Sequence, residues 1–258
     1  MPTLRSFASL KRHRIDSRIL VWFFGLAIGA FAFLQAASKV MAGDTLAFDR
    51  TIMRGLRSAA DPDLPLGPVW LQRAMTDITA LGGVTVLTLV TVLATGYLVA
   101  RRKLGMAAFL AGSISLGATV NSVLKVIIAR PRPDLVAHLV EVHSNSFPSA
   151  HAMNSAITYL TLGVLLARSE IGRAVRIYIL STAILLTLCI GVSRVYLGVH
   201  WPSDVIAGWC VGAAWAAICS VAARALQRRH RIEAPTMETS EAPPAPSKAE
   251  RLAHDRPE

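Results

Sequence analysis

A chain of 258 residues that is 53% hydrophobic and only 17% charged is too apolar for a soluble domain of this size and reads as a polytopic membrane protein. Its formal charge of +11 does not point to nucleic acid, because the cations sit mostly in short segments flanking apolar runs, where they set topology. The cysteines, Cys189, Cys210 and Cys219, all fall inside those runs. They read as small buried apolar residues and imply no disulfide framework.

Residues 1–18 are basic, with Arg5, Lys11, Arg12, Arg14 and Arg18. The apolar run from Ile19 to about Ala37 exceeds the core of a cleavable signal and is predicted as an uncleaved first span. Residues 38–76 form the long connection of the first half. Within it Leu46, Ile52, Met53 and Leu56 fall near helical spacing among Asp44, Asp49, Arg50, Arg54 and Arg57. That pattern predicts a short amphipathic helix at the membrane surface, either a lid or lipid entrance or a plain connector. Pro62, Pro65 and Pro68 then break the chain.

The second span is predicted from about Asp77 to Ala100, with Gly82-Gly83 near its start permitting close helix approach. The basic turn Arg101-Arg102-Lys103 leads into a third span, Leu104 to Ile128, which carries Lys125 near its far end, and Arg130-Pro131-Arg132-Pro133 stops it. In the loop that follows, His138, Glu141 and His143 are either headgroup contacts or isolated surface residues. A fourth span, Ser149 to Ala167, precedes the basic turn with Arg168, Arg173 and Arg176. The fifth covers Arg176 to Tyr196 and the sixth Pro202 to Leu226, with Arg224, Arg228, Arg229 and Arg231 around its end. Residues 232–258 are rich in Pro, Glu, Ala and Ser and lack apolar periodicity, so they are expected to be a disordered cytoplasmic tail behind a membrane domain of residues 1–231. The expected fold is an all-α membrane bundle with six spans and one short surface helix. No internal repeat is present.

Three polar signatures interrupt the apolar sequence: Lys125 with Arg132-Pro133, Pro148-Ser149-Ala150-His151, and Ser193-Arg194 with His200 and Asp204. Ionisable residues beside apolar spans are functional candidates. Lys125, Arg132 and Arg194 suit a multiply charged oxyanion such as phosphate. His200 and Asp204 have the i, i+4 spacing that brings a carboxylate to an imidazole in a helix, which fixes the tautomer and frees the other ring nitrogen to attack. His151 is a second imidazole, suited to protonating a leaving alkoxide. Ser149 and the amides after it open an apolar helical run, whose N-terminus favours an anion. No acidic cluster or Cys/His ligand set accompanies them, which disfavours metal-assisted hydrolysis, and no cofactor is expected.

Together the signatures resemble those of the type-2 phosphatidic acid phosphatase superfamily, which includes lipid phosphate phosphatases and vanadium haloperoxidases. The family pattern is Lys-x6-Arg-Pro, then Pro-Ser-Gly-His, then Ser-Arg-x5-His-x3-Asp. The chain departs from it only at Ala150, where the family usually has Gly; Ala is tolerated there if the backbone angle is ordinary. The resemblance implies that His200 attacks phosphorus, oriented by Asp204, and that His151 serves as acid and then base. Lys125, Arg132, Arg194, Ser149 and the amides of Ala150 and His151 would hold the phosphate oxygens. The implied activity is hydrolysis of a membrane lipid phosphate or pyrophosphate through a phosphohistidine. Alternatives are a lipid phosphotransferase on the same scaffold and a non-catalytic lipid-binding protein. A vanadate-dependent peroxidase is disfavoured because the related enzymes are soluble. Undecaprenyl pyrophosphate, phosphatidylglycerol phosphate, phosphatidic acid and a lipid A phosphate all fit the signatures. With the N-terminus cytoplasmic, every strongly basic turn and the C-terminus fall on the cytoplasmic side and the three signatures on the other, periplasmic in a Gram-negative cell.

Overall fold

The structure, a computed structural model, describes residues 17–42, 47–142, 144–229 and 231–233. Most of the basic N-terminal stretch, Asp44, Leu46, His143 and the tail from 234 onward lie outside them. The chain forms α1 (Ser17–Met41), α2 (Ala47–Gly55), α3 (Val69–Ala80), α4 (Val84–Ala100) and α5 (Leu104–Ile128). A broken helix follows, made of α6 (Ala150–Ser155), a π-helical turn (Ala156–Leu160) and α7 (Thr161–Ser169), and then α8 (Arg173–Tyr196) and α9 (Pro202–Arg228). No strand occurs among the described residues, only an isolated bridge between Arg57 and Pro65.

Four of these units are long and apolar enough to cross a membrane: α5, the broken helix Ala150–Ser169, α8 and α9. The pair α3 and α4, bent by 47° at a short break, adds a fifth if it crosses as one broken span. The protein is therefore an all-α, multi-pass membrane bundle. The predicted second span, from about Asp77 to Ala100, is the later part of a longer, bent unit that starts at Val69. At the break the amides of Leu81, Gly82 and Gly83 bond back to Ile78, Thr79 and Ala80, tightening the end of α3 before Gly83 opens α4. A Cβ on Gly82 would lie 2.4 Å from Ile190 Cγ2, so its small size serves helix packing.

Helix α9 is the hub of the bundle. Gly208 and Gly212, four residues apart on one of its faces, let α6 and the π turn come close; a Cβ on Gly212 would sit 2.5 Å from Ala156 Cβ, and one on Gly208 3.0 Å from the Ser149 carbonyl. Helix α1 lies along α9 and closes over Phe147 with Ala37, Val40 and Phe33. Helices α5, α8 and α9 and the broken helix carry the three signatures at one common end. At the other end, Gln227 Nε2 donates to the Glu233 carbonyl at 3.1 Å, and the Glu233 carboxylate accepts the Gly105 and Met106 amides at 3.1 and 2.9 Å. The first residues of the expected tail thus cap the start of α5.

Candidate active site

The chain leaves α5 through Ala129, which takes the left-handed conformation at φ +48°. That turn sends residues 130–149 back across the helix end. Lys125, in the last turn of α5, donates its ammonium to the Asn145 carbonyl, and Asn145 Nδ2 returns a bond to the Lys125 carbonyl at 3.1 Å. Arg132 donates Nε to the Ser144 carbonyl and Nη1 to the Val199 carbonyl, each at 2.6 Å. The same Nη1 lies 3.4 Å from His200 Nε2. A guanidinium only donates, so Nε2 presents its lone pair.

His200 is 1% exposed and sits between α8 and α9, in the turn before α9 rather than within a helix. Asp204, in the first turn of α9, reaches back toward it, with Oδ2 at 3.5 Å from Nδ1. Ser146 Oγ lies 3.4 Å from the same ring nitrogen and donates to Asp204 Oδ2. The Trp201 amide adds a 3.0 Å bond to that oxygen. The expected His–carboxylate pair therefore forms, through the folded-back turn Trp201–Asp204. Burial pushes the His200 imidazole down to about 3, with the Arg194 and Arg132 charges adding and Asp204 opposing. The ring is neutral at ordinary pH and its Nε2 is unprotonated.

Arg194, in the last turn of α8, is held by Thr79 of α3 through a 3.0 Å bond from Nη1, while its buried Nε has no partner among the described residues. His151 is half-buried and within electrostatic reach of Arg194, His200, Lys125 and Arg132. Ser149 is fully buried as the N-cap of α6; its hydroxyl accepts the Ala152 amide at 3.5 Å and its own amide donates to the Asp204 carbonyl at 3.1 Å. Ala150 is the first helical residue and is not among the positive-φ positions, so Ala stands in place of Gly without strain. All eight residues singled out in the signatures gather at one end of the bundle.

Sequence reasoning missed a second set of residues that holds this centre in place. Arg130, 5% exposed, donates to Asp204 Oδ1 at 2.5 Å and to Asp49 Oδ2 at 3.1 Å, and its guanidinium lies 5.2 Å from the Trp201 ring centroid. Asp49, fully buried, also accepts the Ser203 amide at 2.8 Å and the Ser203 hydroxyl at 2.6 Å. Helix α2 is therefore more than a surface helix. Met53 packs into the core with Val136, Val195, Trp201 and Val205, and Asp49 plugs into the start of α9. Arg57 follows it inward and donates to the Tyr196 carbonyl at 2.9 Å. The sequence signal for Asp49 was a carboxylate on a short helix; its partner was not legible. His138, a candidate headgroup contact, instead donates Nε2 to the Pro133 carbonyl at 2.7 Å.

A family model, the PAP2 superfamily, matches residues 106–228. Phosphatidylglycerophosphatase B of Bacillus subtilis is 37% identical over 150 residues, 55% of this chain and 70% of that protein. An undecaprenyl-diphosphatase of Sulfolobus acidocaldarius is 33% identical over 125 residues, 46% of this chain and 55% of that one. Among solved structures, the transmembrane PAP2-type phosphatidylglycerolphosphate phosphatase of B. subtilis superposes with a TM-score of 0.68 at 28% identity, over 80% of this chain and 98% of the other. Signatures, fold and relatives agree: the chain belongs to the PAP2 superfamily.

Proposed function

We propose that the protein is an integral membrane phosphatase that hydrolyses a phosphate or pyrophosphate monoester of a membrane lipid through a phosphohistidine intermediate. The observation that carries this reading is the placement of buried His200, with Nε2 3.4 Å from Arg132 Nη1 and Nδ1 3.5 Å from Asp204 Oδ2, which leaves Nε2 as the nitrogen free to attack. In the first step Nε2 attacks phosphorus and the bond to the lipid oxygen breaks, with His151, protonated once the substrate's negative charge offsets Arg194, Lys125 and Arg132 around it, giving its proton to that oxygen. Lys125, Arg132 and Arg194 neutralise the non-bridging oxygens as charge spreads over them. A phosphate oxygen would satisfy the buried Arg194 Nε, which has no partner among the described residues. In the second step His151 takes a proton from water, the water oxygen attacks phosphorus, and the P–N bond breaks to release phosphate and free His200.

The names of the relatives support a lipid phosphate as substrate. A phosphatidylglycerophosphatase and an undecaprenyl-diphosphatase act on lipids with unlike tails and a shared terminal phosphate, the group that these cations would grip. Helix α1 supplies the first of six spans, residues 1–231 form the membrane phosphatase domain, and 232–258 form a cytoplasmic tail. The positions of the basic turns support a catalytic end facing away from the cytoplasm. The test is phosphate release by the purified protein from phosphatidylglycerol phosphate, undecaprenyl pyrophosphate, phosphatidic acid and a lipid A phosphate, with EDTA present. Release from at least one of them in EDTA is expected. No release from any, or release only after a divalent ion is restored, refutes the reading.

A further inference from the structure

The bundle end far from the signatures holds a cavity of about 750 Å³ between the ends of α4, α5, α7 and α9. Gly105 and Lys125 stand near opposite ends of α5, roughly 30 Å apart by helical rise, so this cavity is separate from the catalytic centre. Its inner wall is apolar, made by Leu98, Met106, Leu110, Leu162 and Leu165. Its rim is polar and carries Arg101, Lys103 and Arg168.

The rim is built for an anion. Arg168 donates Nη2 to Gln227 Oε1 at 2.6 Å, and its buried Nη1 has no hydrogen-bond partner among the described residues. Arg224 is close enough to act on Arg168 with a like charge. Two carboxylates also reach the rim, Glu170 and Glu233. That of Glu233 is engaged by the Gly105 and Met106 amides. A buried guanidinium nitrogen without an acceptor, beside a second arginine, is costly unless an anion supplies one.

We propose that this cavity is a binding site for an anionic glycerophospholipid, distinct from the catalytic centre. The headgroup phosphate meets Arg168 and Arg101 at the rim, and the upper part of an acyl chain lies along Leu110, Leu162 and Leu165. Basic pockets between membrane helices take lipid headgroups in this way, and the volume falls in the range of small-molecule sites. The apolar wall selects a lipid over free phosphate.

The test uses the intact protein in detergent and counts retained lipid by native mass spectrometry. The probes are phosphatidylglycerol, a phosphodiester with no terminal phosphate to hydrolyse, and phosphatidylcholine with the same chains. The wild type should retain one phosphatidylglycerol in preference to phosphatidylcholine by at least about tenfold. Arg101→Gln with Arg168→Gln should remove the preference, and Leu165→Trp, which fills the apolar wall and leaves the charges intact, should remove retention. His200→Ala and Arg132→Ala, at the other end, should keep both, and inorganic phosphate should not displace the lipid. Three results would overturn the proposal: no preference in the wild type, a preference that survives Arg101→Gln with Arg168→Gln, or one lost with Arg132→Ala. Displacement by inorganic phosphate would show an anion site without a lipid.

Discussion

Asp49 and Arg130 form a buried ion pair at 3.1 Å, between a short helix in the long connection and the turn after α5. The other guanidinium edge of Arg130 meets Asp204 at 2.5 Å. One cation thus joins the carboxylate behind His200 to a carboxylate on α2, and the Ser203 hydroxyl donates to Asp49 while accepting from Arg130.

The position of Asp204 therefore depends on Asp49. Asp49→Ala leaves Arg130 with one carboxylate fewer in a buried site and should destabilise the protein by about 3–5 kcal/mol. With the guanidinium drawn fully onto Asp204, turnover should fall by more than substrate affinity does. Thermal unfolding in detergent and the split between kcat and KM check this. Wild-type stability in Asp49→Ala would remove Asp49 from the supporting framework.

His200→Ala should leave a folded, membrane-inserted protein whose phosphate release is at least about 10³-fold lower. Brief incubation with a substrate labelled in its terminal phosphate, followed by alkaline quenching, should leave label on the wild type and none on the variant. Unchanged turnover in His200→Ala would remove His200 as nucleophile.

The neutral state of His200 makes a pH prediction. Its folded value, about 3, lies below its ordinary 6.5, so its contribution to stability is complete above about 6.5 and is lost progressively as pH falls toward 3. The His200 resonance in histidine-labelled protein should stay flat from about pH 8 to pH 5. The acid limb of activity should then belong to another group. A His200 titration near 6.5 would contradict the burial that Arg132, Ser146 and Asp204 impose.

The side of the membrane is testable with cysteines. A membrane-impermeant thiol reagent should label Glu141→Cys in intact cells and leave Lys103→Cys and Arg229→Cys unlabelled until the membrane is broken. The basic turns and the signatures lie at opposite ends of the same helices, and positive turns resist translocation. The reverse labelling would put catalysis on the cytoplasmic side.

Much of the site was legible in the sequence alone. Lys125, Arg132, Ser149, His151, Arg194, His200 and Asp204 are ionisable or polar residues beside apolar runs, and spacing shows which signature each belongs to. Apolar periodicity likewise marked the helices that carry them, because span length and helix repeat are local properties. Other features were decided by the fold. Within Arg130-Pro131-Arg132 the family pattern marks Arg132, but nothing in the sequence shows that Arg130 braces Asp204. That role depends on Asp49, which the fold brings from a distant helix. The same holds for Thr79 under Arg194, for the bend between α3 and α4, and for Gly208 and Gly212 letting α6 approach. A buried charge must find a partner wherever the chain passes, and packing alone decides where that is.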